Sequence, residues 1–373
     1  SSSAASDVYK RQLLREARDR GEVRTVDEQT PSAPTHLARR VTPGTHLLPE
    51  YLSFSQLTTL ITDTTGWLLR HPFGITPGGS ASVPTGARMI GNLLHAVLEE
   101  LVRRHRLADG HVSSQGLLDA ITAGEVEGVL NELIPRHASE LALPGNEASR
   151  HEVAETARRS IEHFFTVLRD AGIAVRAIEY PINGATLPLT VRTLTGTTEL
   201  AVRFGGSIDF LGEDQHGNPV VLDFKWTRGE KHYRERVASG TALQLATYTW
   251  ALSAGGGGTA ELSGYFLLRQ GEFVSTHREL GARHHSNVPT TTEVFTRAVT
   301  SAEHALGTLA RGEVRTETGQ NAVMHRHPQL DMKPRDLIAL RRRTHERRGR
   351  YFEDAKASYS DYTLLTGVEG DFS

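Results

Sequence analysis

The chain has 373 residues, 38% hydrophobic, 6% aromatic and 23% charged, an ordinary globular composition that excludes a disordered or fibrous protein. Lys and Arg number 42 against 44 Asp and Glu, a formal net charge of -2, so a polyanionic partner has to be met by local basic patches and not by global attraction. Cysteine is absent, which excludes disulfides, thiolate zinc sites, a cysteine nucleophile and a cysteine-ligated iron–sulfur cluster.

No window approaches the roughly 18 consecutive apolar residues of a membrane span, and the first residues lack the apolar core of a secretory signal. The expectation is a soluble, cytoplasmic protein with no membrane partner. Lysine occurs only at Lys10, Lys225, Lys231, Lys333 and Lys356, and none of them stands in a GxxxxGK[ST] loop, so no nucleotide-driven motor of that kind is expected on this chain.

In chain order, the opening SSSAASDVYKRQ resembles sequencing-adaptor read-through. The stretch to about Pro49 is rich in Pro, Thr and Arg, and residues 1–44 are set aside as artefact and linker. Ser53-Phe54-Ser55-Gln56-Leu57 reads as a helix start, with Leu57, Leu60, Ile61, Trp67 and Leu68 as its apolar positions. After a Gly/Pro/Ser loop at 74–86, Met89, Ile90, Leu93, Leu94, Val97, Leu98, Leu101 and Val102 predict an amphipathic helix of about five turns, with His95 as its polar oddity. Residues 112–171 read as helical with breaks near Pro135 and Pro144-Gly145. After Gly172 the period changes, and strands are expected over Val175–Ile182, Leu187–Val191, Leu200–Leu211, Val220–Phe224 and, beyond a helix at 235–253, Leu262–Leu268. The last third reads as helical and arginine-rich. The predicted class is α+β, a central mixed sheet flanked by helices with a helical N-terminal insertion, in one domain over 45–370: helices at 90–171, catalytic sheet and helix at 172–270, helices at 290–370.

The informative segment is Gly206-Ser207-Ile208-Asp209, a polar Gly-containing turn, and Asp223-Phe224-Lys225. A hairpin symmetric about His216 sets Asp209 opposite Asp223, roughly 5 Å apart on one face. Two such carboxylates among Val, Leu, Ile and Phe repel each other and lose hydration, a conflict that a divalent cation resolves. Alternation turns Lys225 to the face of Asp223, while Leu222 and Phe224 enter the core. Carboxylates that hold a metal beside a lysine suit phosphodiester hydrolysis. Taken alone, the Asp-x-Lys tripeptide also suits an exposed hairpin face.

Four elements stand in order: Gly91-Asn92-Leu93-Leu94-His95, Gly206-Ser207-Ile208-Asp209, Asp223-Phe224-Lys225 and Gln244-Leu245-Ala246-Thr247-Tyr248. Together they resemble the RecB-like branch of the PD-(D/E)XK nucleases, the nuclease domains of the AddB/RecB type, with a restriction-endonuclease-like fold. The resemblance implies a Mg²⁺ (or Mn²⁺) site held by His95, Asp209 and Asp223 with the Phe224 carbonyl. It also implies that Asp209, Asp223 and Lys225 are catalytic, with Gln244 and Tyr248 in support. Glu179 reads equally as a further acidic ligand or an exposed strand carboxylate. Lys231, Arg234 and Arg236, in a segment like the linker of relatives with Trp after the lysine, suit phosphate contacts or plain solvation. The same two readings hold for Arg341 and Arg342 in the run 341–350. His284-His285 and His325-Arg326-His327 read as surface histidines.

Many relatives carry an iron–sulfur cluster; here Ala357, Ser360 and Thr366 stand at the C-terminal ligand positions. No cluster is expected, and packing by Tyr359, Tyr362 and Leu365 is expected to tie the C-terminus to the helix beginning near Ser53. The expected activity is metal-dependent DNA hydrolysis, with an exonuclease expected over an endonuclease, as the nuclease part of a helicase–nuclease repair system. Its helicase would be another subunit or an upstream region. The alternative is a catalytically inactive DNA-end-binding scaffold.

Overall fold

The computed structural model describes residues 38–76, 86–108, 110, 112–280, 288–315, 334–353 and 362. The opening adaptor-like residues, Tyr359, Leu365, Ala357, Ser360, Thr366, His284, His285, His325 and His327 lie outside them.

Strand β1 (Ala38–Arg40) leads to β2 (Tyr51–Ser53) and helices α1 (Phe54–Thr62) and α2 (Thr64–Arg70). Ser53 starts α1 through a capping box, its hydroxyl accepting from the Gln56 amide while the Gln56 side chain accepts from the Ser53 amide. Asp63 ends that helix and caps the next, so the expected single helix is two.

Helices α3 (Gly86–Arg104), α4 (Ser114–Thr122), α5 (Glu125–His137) and α6 (Glu147–Asp170) form the helical part. The break expected near Pro135 is present: Pro135 sits in the last turn of α5, which ends at His137. Strands β3 (Ala174–Ile182), β4 (Thr186–Arg192), β5 (Thr197–Glu213) and β6 (Pro219–Lys225) follow. Then come α7 (Lys231–Ala238), α8 (Leu243–Ala254), β7 (Leu262–Leu267) and β8 (Glu272–Ser275). Helix α9 (Thr291–Ala310), β9 (Glu313–Arg315) and α10 (Pro334–Arg347) complete the order.

The helix expected over 235–253 divides after Ala238 for a local reason. Gly240 takes φ +66°, its amide bonds the Val237 carbonyl and the Thr241 amide bonds that of Arg236, a Schellman stop. The short β8 escapes sequence reading because four residues after a tight turn carry no period.

A seven-stranded mixed sheet runs β2-β5-β6-β7-β8, and β3 and β4 also pair with β5, antiparallel. β6 and β7 are parallel, joined through α7 and α8. Side chains alternate between two apolar layers. Leu222, Phe224 and Phe210 join the cluster made with α3–α6, where Phe164 packs on Phe210, Phe224, Phe266 and Phe273. Val221 joins the opposite cluster, with residues of α1, α2, α8 and α9. Helices on both faces of a mixed sheet give the fold expected for this chain.

The β5–β6 hairpin has the expected register: Phe210 pairs with Leu222, Leu211 with Val221, Gly212 with Val220 and Glu213 with Pro219, all centred on 216. Its turn is closed by Asp214, whose Oδ1 accepts from the amides of His216 and Asn218 at 2.8 Å each, and by Gly217 at φ +83°.

Candidate active site

Past Phe210 and Leu222 the ladder stops, and Asp209 stands next in line opposite Asp223. In place of a ladder bond, Asp209 Oδ2 accepts from the Phe224 amide at 2.8 Å. On the other edge of β5, Glu179 falls opposite Asp209, between the pairs Ile178–Phe210 and Tyr180–Ile208. In parallel register with Asp223 on β7 stands Tyr265. One row across four strands thus reads Glu179, Asp209, Asp223, Tyr265.

Glu179 has φ +53°, the one positive value for a non-glycine among the described residues. Such a conformation costs on the order of 1–3 kcal/mol and persists only where its surroundings impose it. Those surroundings are visible: Glu179 Oε2 accepts from Ser207 Oγ at 2.8 Å, and Oε1 lies 3.0 Å from His95 Nδ1. His95 projects from α3, its ring edge-on to Phe224 at 5.6 Å, with Nε2 3.6 Å from Asp209 Oδ2. One ligand atom each from His95, Glu179 and Asp209 lie within 4.8 Å of one another.

Asp223 is wholly buried, and Lys225 Nζ lies 2.6 Å from its Oδ2. The Lys225 ammonium thus pairs with Asp223 Oδ2, while Asp223 Oδ1 has no hydrogen-bond partner in the described structure. Burial, reinforced by Asp223, pushes the Asp209 carboxyl up to about 8, and burial raises Asp223 against the pull of Lys225. Burial works against charge on His95, but the hydrogen bond it donates to Glu179 and the nearby Asp209 leave its pKa raised. The His95 bond in turn lowers that of Glu179. Burial opposes the Lys225 charge and the two aspartates outweigh it, so the ammonium keeps its proton.

Two buried carboxylates with raised proton affinities, one of them with an oxygen left unpartnered, and a neighbouring imidazole form a donor set that fits a divalent cation. A consequence is measurable without substrate. Asp209 holds its proton to about 8 in the folded protein, far above its ordinary 3.8. Between those values the unfolded chain has already ionised, so in EDTA the melting temperature should fall as pH rises through this window. Asp209→Asn should flatten that part of the profile. An identical pH profile in the variant would contradict the assignment.

Gln244 and Tyr248 share a face of α8 and are joined by Gln244 Nε2 to Tyr248 Oη at 3.3 Å. Burial first, then Asp223 and Asp209, push the Tyr248 hydroxyl up to about 12, which puts it within the field of the acidic pair. Tyr233 and Tyr265 were not anticipated. Their rings lie 5.0 Å apart, and the buried Tyr265 hydroxyl has no hydrogen-bond partner in the described structure. Only the alternation within Leu262–Leu267 could have turned Tyr265 toward Asp223. Ser207 lies inside the Gly-Ser-Ile-Asp motif, but its bond to Glu179 depends on a neighbouring strand.

The expected phosphate-contact residues lie apart in their surroundings. Lys231 is 87% exposed, 3.8 Å from Glu235. Arg234 is paired with Glu272 and Glu230, and Arg236 with Glu353. Arg341 lies over the Phe352 ring at 5.5 Å, and Arg342 is exposed. Of the five, Lys231 and Arg342 are the more open to a strand; Arg234 and Arg236 would first have to leave their carboxylates.

A family model described as the PD-(D/E)XK nuclease superfamily matches residues 51–352. The match covers most of the chain and all four ordered elements, and the chain belongs to this superfamily of metal-dependent nucleases. No curated protein sequence matches it significantly. Among the described residues, no helix is long and apolar enough to cross a membrane.

Proposed function

We propose that this chain is a RecB-like nuclease that hydrolyses DNA phosphodiesters with Mg²⁺ or Mn²⁺, acting as an exonuclease within a helicase–nuclease repair system. The observation that carries the reading is the facing pair Asp209 and Asp223, both buried, with Asp223 Oδ1 left without a partner and the Lys225 ammonium 2.6 Å from Asp223 Oδ2. A non-catalytic scaffold has no use for so costly a pair.

Asp209, Asp223 and His95 would hold the cation together with the Phe224 carbonyl, and Glu179 has a ligand atom close to those of His95 and Asp209. A bound divalent cation polarises the phosphate and acidifies its water. Glu179 holds His95 by one ring nitrogen and leaves the other toward Asp209, which sets the tautomer a ligand needs. Lys225, kept protonated, serves as a donor that neutralises charge on the phosphate and orients the attacking water; it is not a general base. Gln244 and Tyr248 supply neutral donors on the side of α8.

The test is linear and circular DNA incubated with the purified protein, with and without Mg²⁺ or Mn²⁺. Metal-dependent loss of linear DNA, with covalently closed circles spared, is expected. Equal cleavage of both would replace the exonuclease reading with an endonuclease one, and no cleavage of either would favour the scaffold.

A further inference from the structure

A cleft of about 290 Å³ lies outside the row of site residues, between α6 and the turn that joins β7 to β8. Arg159, Ser160 and His163 line it from the helix, and Arg269, Gln270 and Gly271 from the turn. No carboxylate is among its lining residues; Glu152 lies 3.9 Å from the Arg269 guanidinium. Its floor includes Ser160, 3% exposed, whose hydroxyl is buried without a hydrogen-bond partner. A serine inside a helix ordinarily satisfies its hydroxyl on the carbonyl four residues back. Ser160 does not, and a buried donor in a cationic cleft is complementary to an anion.

The cleft is tied to the chain that leaves the active site. The Leu268 amide donates to the Lys225 carbonyl at 2.9 Å, Arg269 lies over the Trp226 ring at 6.0 Å, and Gln270 Nε2 donates to the Thr227 carbonyl at 2.9 Å. It therefore opens beyond the carboxyl ends of the parallel strands β6 and β7, the end of β6 that carries Asp223 and Lys225. Guanidinium groups and a hydroxyl match the geometry of phosphate oxygens.

We propose that this cleft is a second phosphate subsite, which holds a backbone phosphate of the nucleic-acid strand beside the one being cut. The assignment rests on the nuclease reading above. It differs from the arginines of 341–350 in having a shaped pocket with a buried, unsatisfied donor.

The test uses the full chain in EDTA, where binding is measured without cleavage. Affinity for labelled single-stranded DNA is followed by anisotropy across a salt series, for wild type, Arg159→Gln/Arg269→Gln and Ser160→Ala. Loss of one phosphate contact should reduce the slope of log K against log salt by roughly 0.7 in the double variant. Ser160→Ala should weaken binding several-fold with an unchanged or higher melting temperature, since it removes a buried hydroxyl that has no partner. Inorganic phosphate should alter Trp226 fluorescence in the wild type and not in the double variant. DNA binding by the wild type with the same slope in the double variant would overturn the subsite, and a phosphate response without any change of slope would mean that a free anion only is bound. Wild-type protein that binds no DNA would sink the nuclease reading and the strand assignment with it.

Discussion

Asp223→Asn should abolish metal-dependent DNA cleavage, by roughly three orders of magnitude or more, and leave the fold intact. A metal acting as Lewis acid contributes several kcal/mol to a phosphoryl-transfer transition state, and each 1.36 kcal/mol is a factor of ten in rate. Asn keeps the shape of the side chain and removes the charge. Because Asp223 is wholly buried against the Lys225 ammonium, removing its charge leaves that ammonium without its partner, and the metal-free variant should stay folded but melt below the wild-type temperature. Its rise in melting temperature on adding Mg²⁺ should shrink, since that rise reports binding to the folded state. Lys225 loses the group that offsets its burial, so its pKa should fall. A variant that retained cleavage within tenfold of wild type would remove Asp223 from the chemistry, whatever its geometry.

Truncation after Gly349 should prevent cooperative folding of the domain, not trim a tail. Tyr351, Phe352 and Tyr362 are 5%, 8% and 4% exposed. The Tyr351 amide donates to Ser301 Oγ at 2.9 Å and its hydroxyl to the Thr241 carbonyl at 3.1 Å, joining α9 to the turn before α8. Glu353 pairs with Arg236 of α7. The Tyr362 hydroxyl donates to the Ile75 carbonyl at 2.6 Å, just beyond α2. Loss of one large core aromatic costs about 3–5 kcal/mol, and a whole domain is stable by about 5–15 kcal/mol. Three of them together approach the total. The measurement is thermal unfolding by circular dichroism, with the full chain alongside; a sharp transition at the full-chain temperature would show that the segment is passive. Tyr362→Phe separates packing from the hydrogen bond and should cost about 1 kcal/mol.

Much of this was legible before any fold was known. The three- and four-residue spacing of Met89 through Val102 determined α3 and its buried face, because a helix sorts side chains by rotation alone. The turn chemistry of Asp214 to Asn218 determined the β5–β6 register, and with it the meeting of Asp209 and Asp223, since a hairpin pairs residues equidistant from its turn. Gln244 and Tyr248 needed only the pitch of one helix.

What depends on distant segments was not legible. Glu179 and His95 are 84 residues apart, and neither strand nor helix periodicity could bring them together or give Glu179 its positive φ. Tyr265 reaches Asp223 only because β7 lies parallel to β6, a choice made by the crossover through α7 and α8. Arg234 and Arg236 read as open cations in the sequence, and the packing of α7 beside β8 and the C-terminal segment gave them carboxylates. Local order follows from the spacing of neighbours, which a sequence states outright; the partner of a charge follows from which surfaces the core brings together, and that only the tertiary structure decides.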